Sequence, residues 1–453
     1  MTSIPIRMPK YRPKHRILLY LLCLGGVVPA GSHAQKKELR FEKQRTEKDA
    51  PYRTQVNQIG GPNSPLLEKV FELNASALRP VLKKADDYRL QIIFTQINRD
   101  KYNRPYVKHH TWRYRPEEYF FPASAVKMAT AAIALEHARQ LGMPADAELR
   151  TFASGGCSGA TGLEEMSLSY GHACLRHYVK DVFLVSGNLS YDRLYEFVGP
   201  GLLNRRLWEK GYPSYRIRTR YGQYCSEAQN RITNRMIFYG PDGSPLYEQP
   251  QDTAEALPPA AMRRTVVGTA LLQDGALAPP KDFRMGNAAS LEDLHKVLMA
   301  LVLPQVVAPS ERFRLAREDY QLLHKYMSML PTESSDPQYD AYYSPTCMKY
   351  LFCGTRQPLP GADVRIFNKV GQAYGFLTDC AYIVDFEHNV EFMLSATLYC
   401  NEDGVLNDDL YDYERIGFPF LRQLGQILLD LERSRNKPYK PDLSFYRHNY
   451  AYY

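Results

Sequence analysis

Phe121-Pro122-Ala123-Ser124-Ala125-Val126-Lys127-Met128-Ala129-Thr130-Ala131-Ala132-Ile133-Ala134-Leu135 sets a serine at the mouth of an apolar run, with a lysine three residues on. The run is apolar nearly all round, which predicts a helix buried through the centre of a domain. Residues three apart share a helix face, so Lys127 can reach Ser124 Oγ. A hydroxyl is a poor nucleophile until a base takes its proton. A lysine in a dry site can be that base, because desolvation favours the neutral amine. The same pair recurs in Ser434-Arg435-Asn436-Lys437, within a basic, Pro-flanked tail with no apolar helix behind it. Taken alone, the pair therefore also suits a helix N-cap serine and a snorkelling lysine.

Two further segments follow in order. Val182-Phe183-Leu184-Val185-Ser186-Gly187-Asn188 ends an apolar run and precedes an amphipathic stretch, Tyr191 to Val198. Val364-Arg365-Ile366-Phe367-Asn368-Lys369-Val370-Gly371-Gln372 is strand-like, and Ala381 to Phe386 soon after predicts its hairpin partner. An S-x-x-K, S-D-N, K-T-G set is the signature of class A β-lactamases and penicillin-binding proteins. Over roughly residues 65–432 the chain resembles these class A β-lactamase-like serine hydrolases, most closely at the three motifs.

The resemblance implies roles position by position. Ser124 would attack an amide or lactam carbonyl and become acylated. Lys127 would accept its proton, directly or through a water. Ser186 would relay a proton to the leaving nitrogen, and Asn188 would hold Lys127 and the substrate amide. Lys369 would draw in an anionic substrate, and Gly371 would let a substrate lie against the strand. The backbone N–H groups of Ser124 and Gln372 would form the oxyanion hole. Three departures stand out. Gly187 replaces an aspartate, so a buried bracing carboxylate is expected to be missing. Val370 replaces a hydroxyl that helps hold a substrate carboxylate, with Thr378 or Tyr374 as possible stand-ins. For deacylation the candidate base is Glu227, in Cys225-Ser226-Glu227-Ala228-Gln229-Asn230, with Glu248 and Glu255 in the same region; the alternative for Glu227 is a solvated surface carboxylate. Without a base the acyl-enzyme would be long-lived.

The N-terminus reads as a secretory signal over residues 1–34: five basic residues, an apolar core from Ile17 to Ala30, and Ser32-His33-Ala34 before Gln35. The alternative is an uncleaved anchor. With cleavage, the formal charge falls from +8 to +3, no transmembrane span is left, and the protein is expected to be periplasmic or secreted. Neither the charge nor any motif points to nucleic acid. Seven cysteines remain, and in an oxidising compartment some should pair. Cys157 with Cys174 and Cys347 with Cys353 are nearest in sequence, but spacing does not fix connectivity. No cofactor or metal is called for; His109-His110 suits an ordinary strand.

The fold expected is α/β: one antiparallel sheet built from both chain ends, packed by terminal helices, plus an α-helical subdomain. Residues 35–62 read as a linker and 63–436 as the catalytic domain, with surface excursions around 212–290. Residues 437–453 read as a flexible, tyrosine-rich tail lying on the surface, the alternative being a segment that stacks on cell-wall sugars. Helices are expected at Leu66 to Ala85, 176–186, 190–198, 289–303, 310–330 and Asp409 to Arg433. The remaining strands are Arg89 to Ile97, Tyr106 to Trp112 and Val390 to Leu398. The function expected is an exported serine hydrolase of β-lactamase type acting on a β-lactam or related amide. The alternatives are a D-alanyl peptidase, esterase or penicillin-binding protein acting on cell-wall peptides, and a non-enzymatic envelope-binding protein.

Overall fold

The computed structural model describes residues 58–61, 63–162, 172–339 and 343–450. The segment expected to be a secretory signal and most of the expected linker lie outside them. Strand-like runs, buried over most of their length, build the central sheet. Its strands are β1 (Gln91–Arg99), β2 (Pro105–Trp112), β3 (Val364–Ala373), β4 (Phe376–Asp385) and β5 (Val390–Tyr399). Their order is β3-β4-β5-β1-β2, antiparallel throughout, so the two chain ends meet where Phe94 pairs with Leu394. β4 is buried at every position, as a central strand covered on both faces must be. Ile93, Cys380 and Tyr382 point to one core and Ile92, Ala381 and Ile383 to the other.

The second core lies under α1 (Pro65–Leu73), α2 (Ala75–Leu82) and a C-terminal helix, Phe418–Ser434. The single helix expected from Leu66 to Ala85 is broken at Asn74, where φ is −112° and ψ 26°. The Asn74 side chain donates to Val70 O at 2.8 Å, the local bond by which asparagine competes with helix continuation.

The first core surrounds α3 (Lys127–Gln140), which is packed by α4 (Leu175–Leu184), α5 (Asn188–Val198), α6 (Pro200–Glu209) and α7 (Leu291–Val302). Every α3 residue from Lys127 to Glu136 is buried. Ala129, Ala131, Ala132 and Ala134 let neighbours approach closely on all sides. α8 (Arg317–Ser328) and α9 (Phe418–Ser434) complete the main helices; both begin later than expected, α9 after a wide turn at Tyr413–Gly417.

Two expectations fail here. The 212–290 region is not mere surface excursion. It holds short strands, among them Arg235–Tyr239, Pro245–Gln249 and the Ala270–Gln273/Ala276–Ala278 hairpin, and it buries Tyr215 and Ile217. Strands of two to five residues are too short to leave a periodic signal. The tyrosine-rich end is also no loose tail. Tyr446 is buried and donates to Val302 O at 2.5 Å, and Tyr450 lies under Arg365 and bonds Ser328. Tyrosine rings carry enough apolar area to hold such a segment down.

Candidate active site

Ser124 sits on a single 3-10 turn, Ala123–Val126, that runs into α3. Ala123 holds φ at +44°, a left-handed conformation that costs a non-glycine residue about 1 kcal/mol. Two cavities of about 520 and 500 Å³ share Ser124, Gln372 and Ala373 in their walls. One arm runs past Val370 and Tyr350 to Asp409. The other is aromatic, with Phe121, Tyr221, Phe283 and Tyr374. A larger cavity, about 890 Å³, lies between α2 and α9 and touches none of the three motifs.

The edge strand β3 forms one side of the site. A Cβ on Gly371 would fall 2.2 Å from Pro122 O and 3.2 Å from Ala125 N, so glycine is what lets the strand press against the serine turn. Lys369, two residues back, donates to Ser186 Oγ at 2.8 Å. Ser186 itself is left-handed, at φ +60°.

Lys127 opens α3 and is fully buried. Its Nζ bonds Ser186 O, Gly187 O (3.2 Å) and Asn188 Oδ1 (2.6 Å), and lies 3.5 Å from Ser186 Oγ. The ammonium is thus anchored on the second motif, and its hydrogen bonds among the described residues all go there rather than to Ser124 Oγ. Burial pushes Lys127 down to about 7, against the opposing pull of Asp181 and Asp192. Burial, then the charge of Lys127, pushes Lys369 far below the ordinary lysine range. The structure therefore gathers Ser124, Lys127, Ser186, Asn188, Lys369, Gly371 and Gln372 in one place.

Glu227 is not with them. It is the first residue of a five-residue helix, Glu227–Arg231, capped by Ser226 and Gln229, and its half-exposed carboxylate lies 3.5 Å from Arg231. Asn230, not Glu227, turns to the aromatic arm, with its amide bonded to Cys225 O and Ser226 O. An acid at a helix N-terminus already has a reason to be there. Glu248 pairs with Arg235 on the surface, and Glu255 is exposed. We expect Glu227→Gln to leave turnover within about twofold of the parent, since surface changes of this kind are close to neutral. A tenfold fall in steady-state rate would restore Glu227 to the mechanism. Thr378 cannot replace the hydroxyl missing at Val370, because it is buried in the sheet and bonded to Thr397 at 2.8 Å; Tyr374 does line the aromatic arm.

Several groups at the site were not singled out from sequence. Tyr221 donates to Ala123 O at 3.0 Å, directly behind the serine turn, and Asn287 Nδ2 donates to the Tyr221 hydroxyl at 2.7 Å. Asn287 Oδ1 in turn accepts from the N–H groups of Arg218 and Thr219. Asp192 accepts from the N–H groups of Tyr221 (2.8 Å) and Gly222 (2.9 Å), and burial pushes it up to about 6. These residues lie in the supposed excursion or on α5, with no motif spacing to mark them. A carboxylate does lie beside Gly187: Asp181, in the last turn of α4, accepts from Ser190 Oγ at 2.7 Å and from the Tyr339 hydroxyl at 3.2 Å. The disulfide joins Cys157 to Cys225, with Cα atoms 6.0 Å apart, and so ties down one wall of the aromatic arm. Neither pair of sequence neighbours is bonded, and Cys174, Cys347, Cys353, Cys380 and Cys400 are free thiols.

A family model described as the beta-lactamase enzyme family matches residues 75–409, a span that holds all three motifs. The chain belongs to this family. Among solved structures, this beta-lactamase-family chain is similar to a beta-lactamase from Streptomyces albus G, with 14% identity, 78% of this chain and 98% of that one covered, and a TM-score of 0.43. It is also similar to one from Sphaerobacter thermophilus, at 13% identity, 79% and 98% coverage and a TM-score of 0.43. For the chromosome-encoded beta-lactamase of Vibrio parahaemolyticus the figures are 13%, 79%, 98% and 0.44. A comparison with curated proteins finds no match.

Proposed function

We propose that this beta-lactamase-family hydrolase is acylated at Ser124 by a β-lactam or related amide. The observation that carries the reading is the buried Lys127, bonded to Asn188 and Ser186 and brought to about 7 beside the serine turn. A lysine near neutrality matches the pH at which a general base works best. In the proposed step, neutral Lys127 takes the Ser124 proton as Oγ bonds to the carbonyl carbon. The N–H groups of Ser124 and Gln372 hold the oxyanion. The carbon–nitrogen bond then breaks as Ser186, bridging Lys127 and Lys369, hands its own proton to the nitrogen and takes the Ser124 proton from Lys127 in its place. No cofactor or metal enters the scheme.

Glu227 faces solvent, and Asp409 is the charged side chain on the wall of the Val370 arm among the described residues. The first favours slow deacylation, which brings the D-alanyl peptidase or esterase reading forward as the second; Asp409 disfavours a substrate carboxylate on that arm. The Cys157–Cys225 disulfide supports an oxidising compartment, hence a periplasmic or secreted protein. Among the described residues no helix is long and apolar enough to cross a membrane.

Intact-mass spectra after brief incubation with benzylpenicillin, with Ser124→Ala alongside, test this. We expect an adduct of one penicillin mass that persists in the parent and is absent from the variant. Drug consumed without a lasting adduct would mean fast turnover. Neither adduct nor drug loss would overturn acylation by lactams and favour envelope binding.

A further inference from the structure

The second motif reads Ser186-Gly187-Asn188, and the space at its middle position is already filled. A Cβ on Gly187 would fall 1.5 Å from Asp181 Oδ2 and 2.6 Å from Asp181 Cγ. A carboxylate thus occupies the volume that a side chain at 187 would claim, but it arrives from the preceding helix. Its contacts are those of a brace. Oδ2 accepts from Ser190 Oγ, on the first turn of α5, and Oδ1 from the Tyr339 hydroxyl. The Asp181 carbonyl accepts from the N–H groups of Val185 (3.1 Å) and Gly187 (3.2 Å). One residue therefore ties the end of α4, the Ser186 turn and the start of α5. That turn needs support, since Ser186 is held at φ +60° and carries the groups that anchor Lys127 and Lys369.

We propose that Asp181 is the positioning residue of the site, a carboxylate transposed from position 187 onto α4 that fixes Ser186 and Asn188 against Lys127. This rests on the reading of Ser124 as the nucleophile. Asp181 does not touch the substrate; it acts through the turn. Glycine at 187 is its counterpart, since any larger residue there would displace it.

The transposition makes a reciprocal test available. Four chains are compared: the parent, Asp181→Asn, Gly187→Asp, and the double variant Asp181→Gly/Gly187→Asp. Ser124 labelling by a fluorophosphonate, a probe of activated serines, is followed as a second-order rate, with circular dichroism and Tm recorded for each. Asp181→Asn keeps the shape and loses the charge, so we expect at least a tenfold slower rate with the fold intact. Gly187→Asp should lose as much or more, from the clash. The double variant should recover to within about fivefold of the parent. Parental labelling by Asp181→Asn would overturn the proposal, as would a folded double variant no faster than Gly187→Asp. A parent that does not label would refute Ser124 as nucleophile instead. In that case, or if the double variant fails to fold, crystal structures of the parent and Asp181→Asn decide. Loss of the Lys127–Asn188 contact in Asp181→Asn supports the proposal, and an unmoved turn overturns it.

Discussion

Replacing Lys127 by methionine is expected to slow acylation of Ser124 at pH 7 by about 10³-fold, within the range that a positioned general base contributes. It should also change how stability depends on pH. In the folded chain burial holds Lys127 at about 7, while in the unfolded chain it titrates near the ordinary lysine value. Between those values the unfolded state binds one proton more, so the parent grows more stable as pH rises through that window. The methionine variant lacks this contribution. Comparing the two by urea unfolding at pH 7 and pH 10 should show the parent gaining roughly 3–4 kcal/mol more than the variant, from about 1.4 kcal/mol per pH unit. The acylation rate of the parent should rise with pH through about 7, as the amine becomes neutral. Equal pH slopes in the two chains would mean that Lys127 stays charged when folded and is not the base.

Gly371→Ala is the second change with a large expected effect. The added methyl would meet Pro122 O at 2.2 Å, and the neighbour is backbone, which cannot swing aside. Either the end of β3 or the serine turn must move by about an ångström. Misplacement of that size costs on the order of 10²-fold where geometry sets the rate. Overpacking of this kind destabilises by about 1–3 kcal/mol. We therefore expect acylation to fall by about 10²-fold and Tm to drop by several degrees. A rate within threefold of the parent would show that the strand is not held against the turn.

The parts of this chain legible in its sequence are those with a long or repeated signal. α3 announces itself by an apolar run with the Ser124–Lys127 pair at its mouth, and the β3–β4 hairpin by two strand-like runs close together, one of them holding Lys369. That both chain ends share one sheet could be inferred because five strand patterns cluster at the two ends. The hidden parts act through tertiary contact. Asp181 is one acid on an amphipathic helix until Gly187 folds back on it, and Tyr221 is one tyrosine among 34 until its hydroxyl meets Ala123 O. Glu227 misled for the opposite reason. Its local pattern suggested a base, while the capped turn gave that acid a sufficient purpose of its own.

The seam between β1 and β5 also sets a schedule for making the protein. β1 closes on residues near Phe392, so its edge waits for roughly 300 further residues to be synthesised, on the order of half a minute at about 5–20 residues per second. Until then the β1–β2 hairpin has no partner on that edge, and α3 lacks the sheet it packs beside. Such a nascent chain stays threadable almost to its end, at the cost of carrying an open strand edge, a template for unwanted pairing, until β5 arrives.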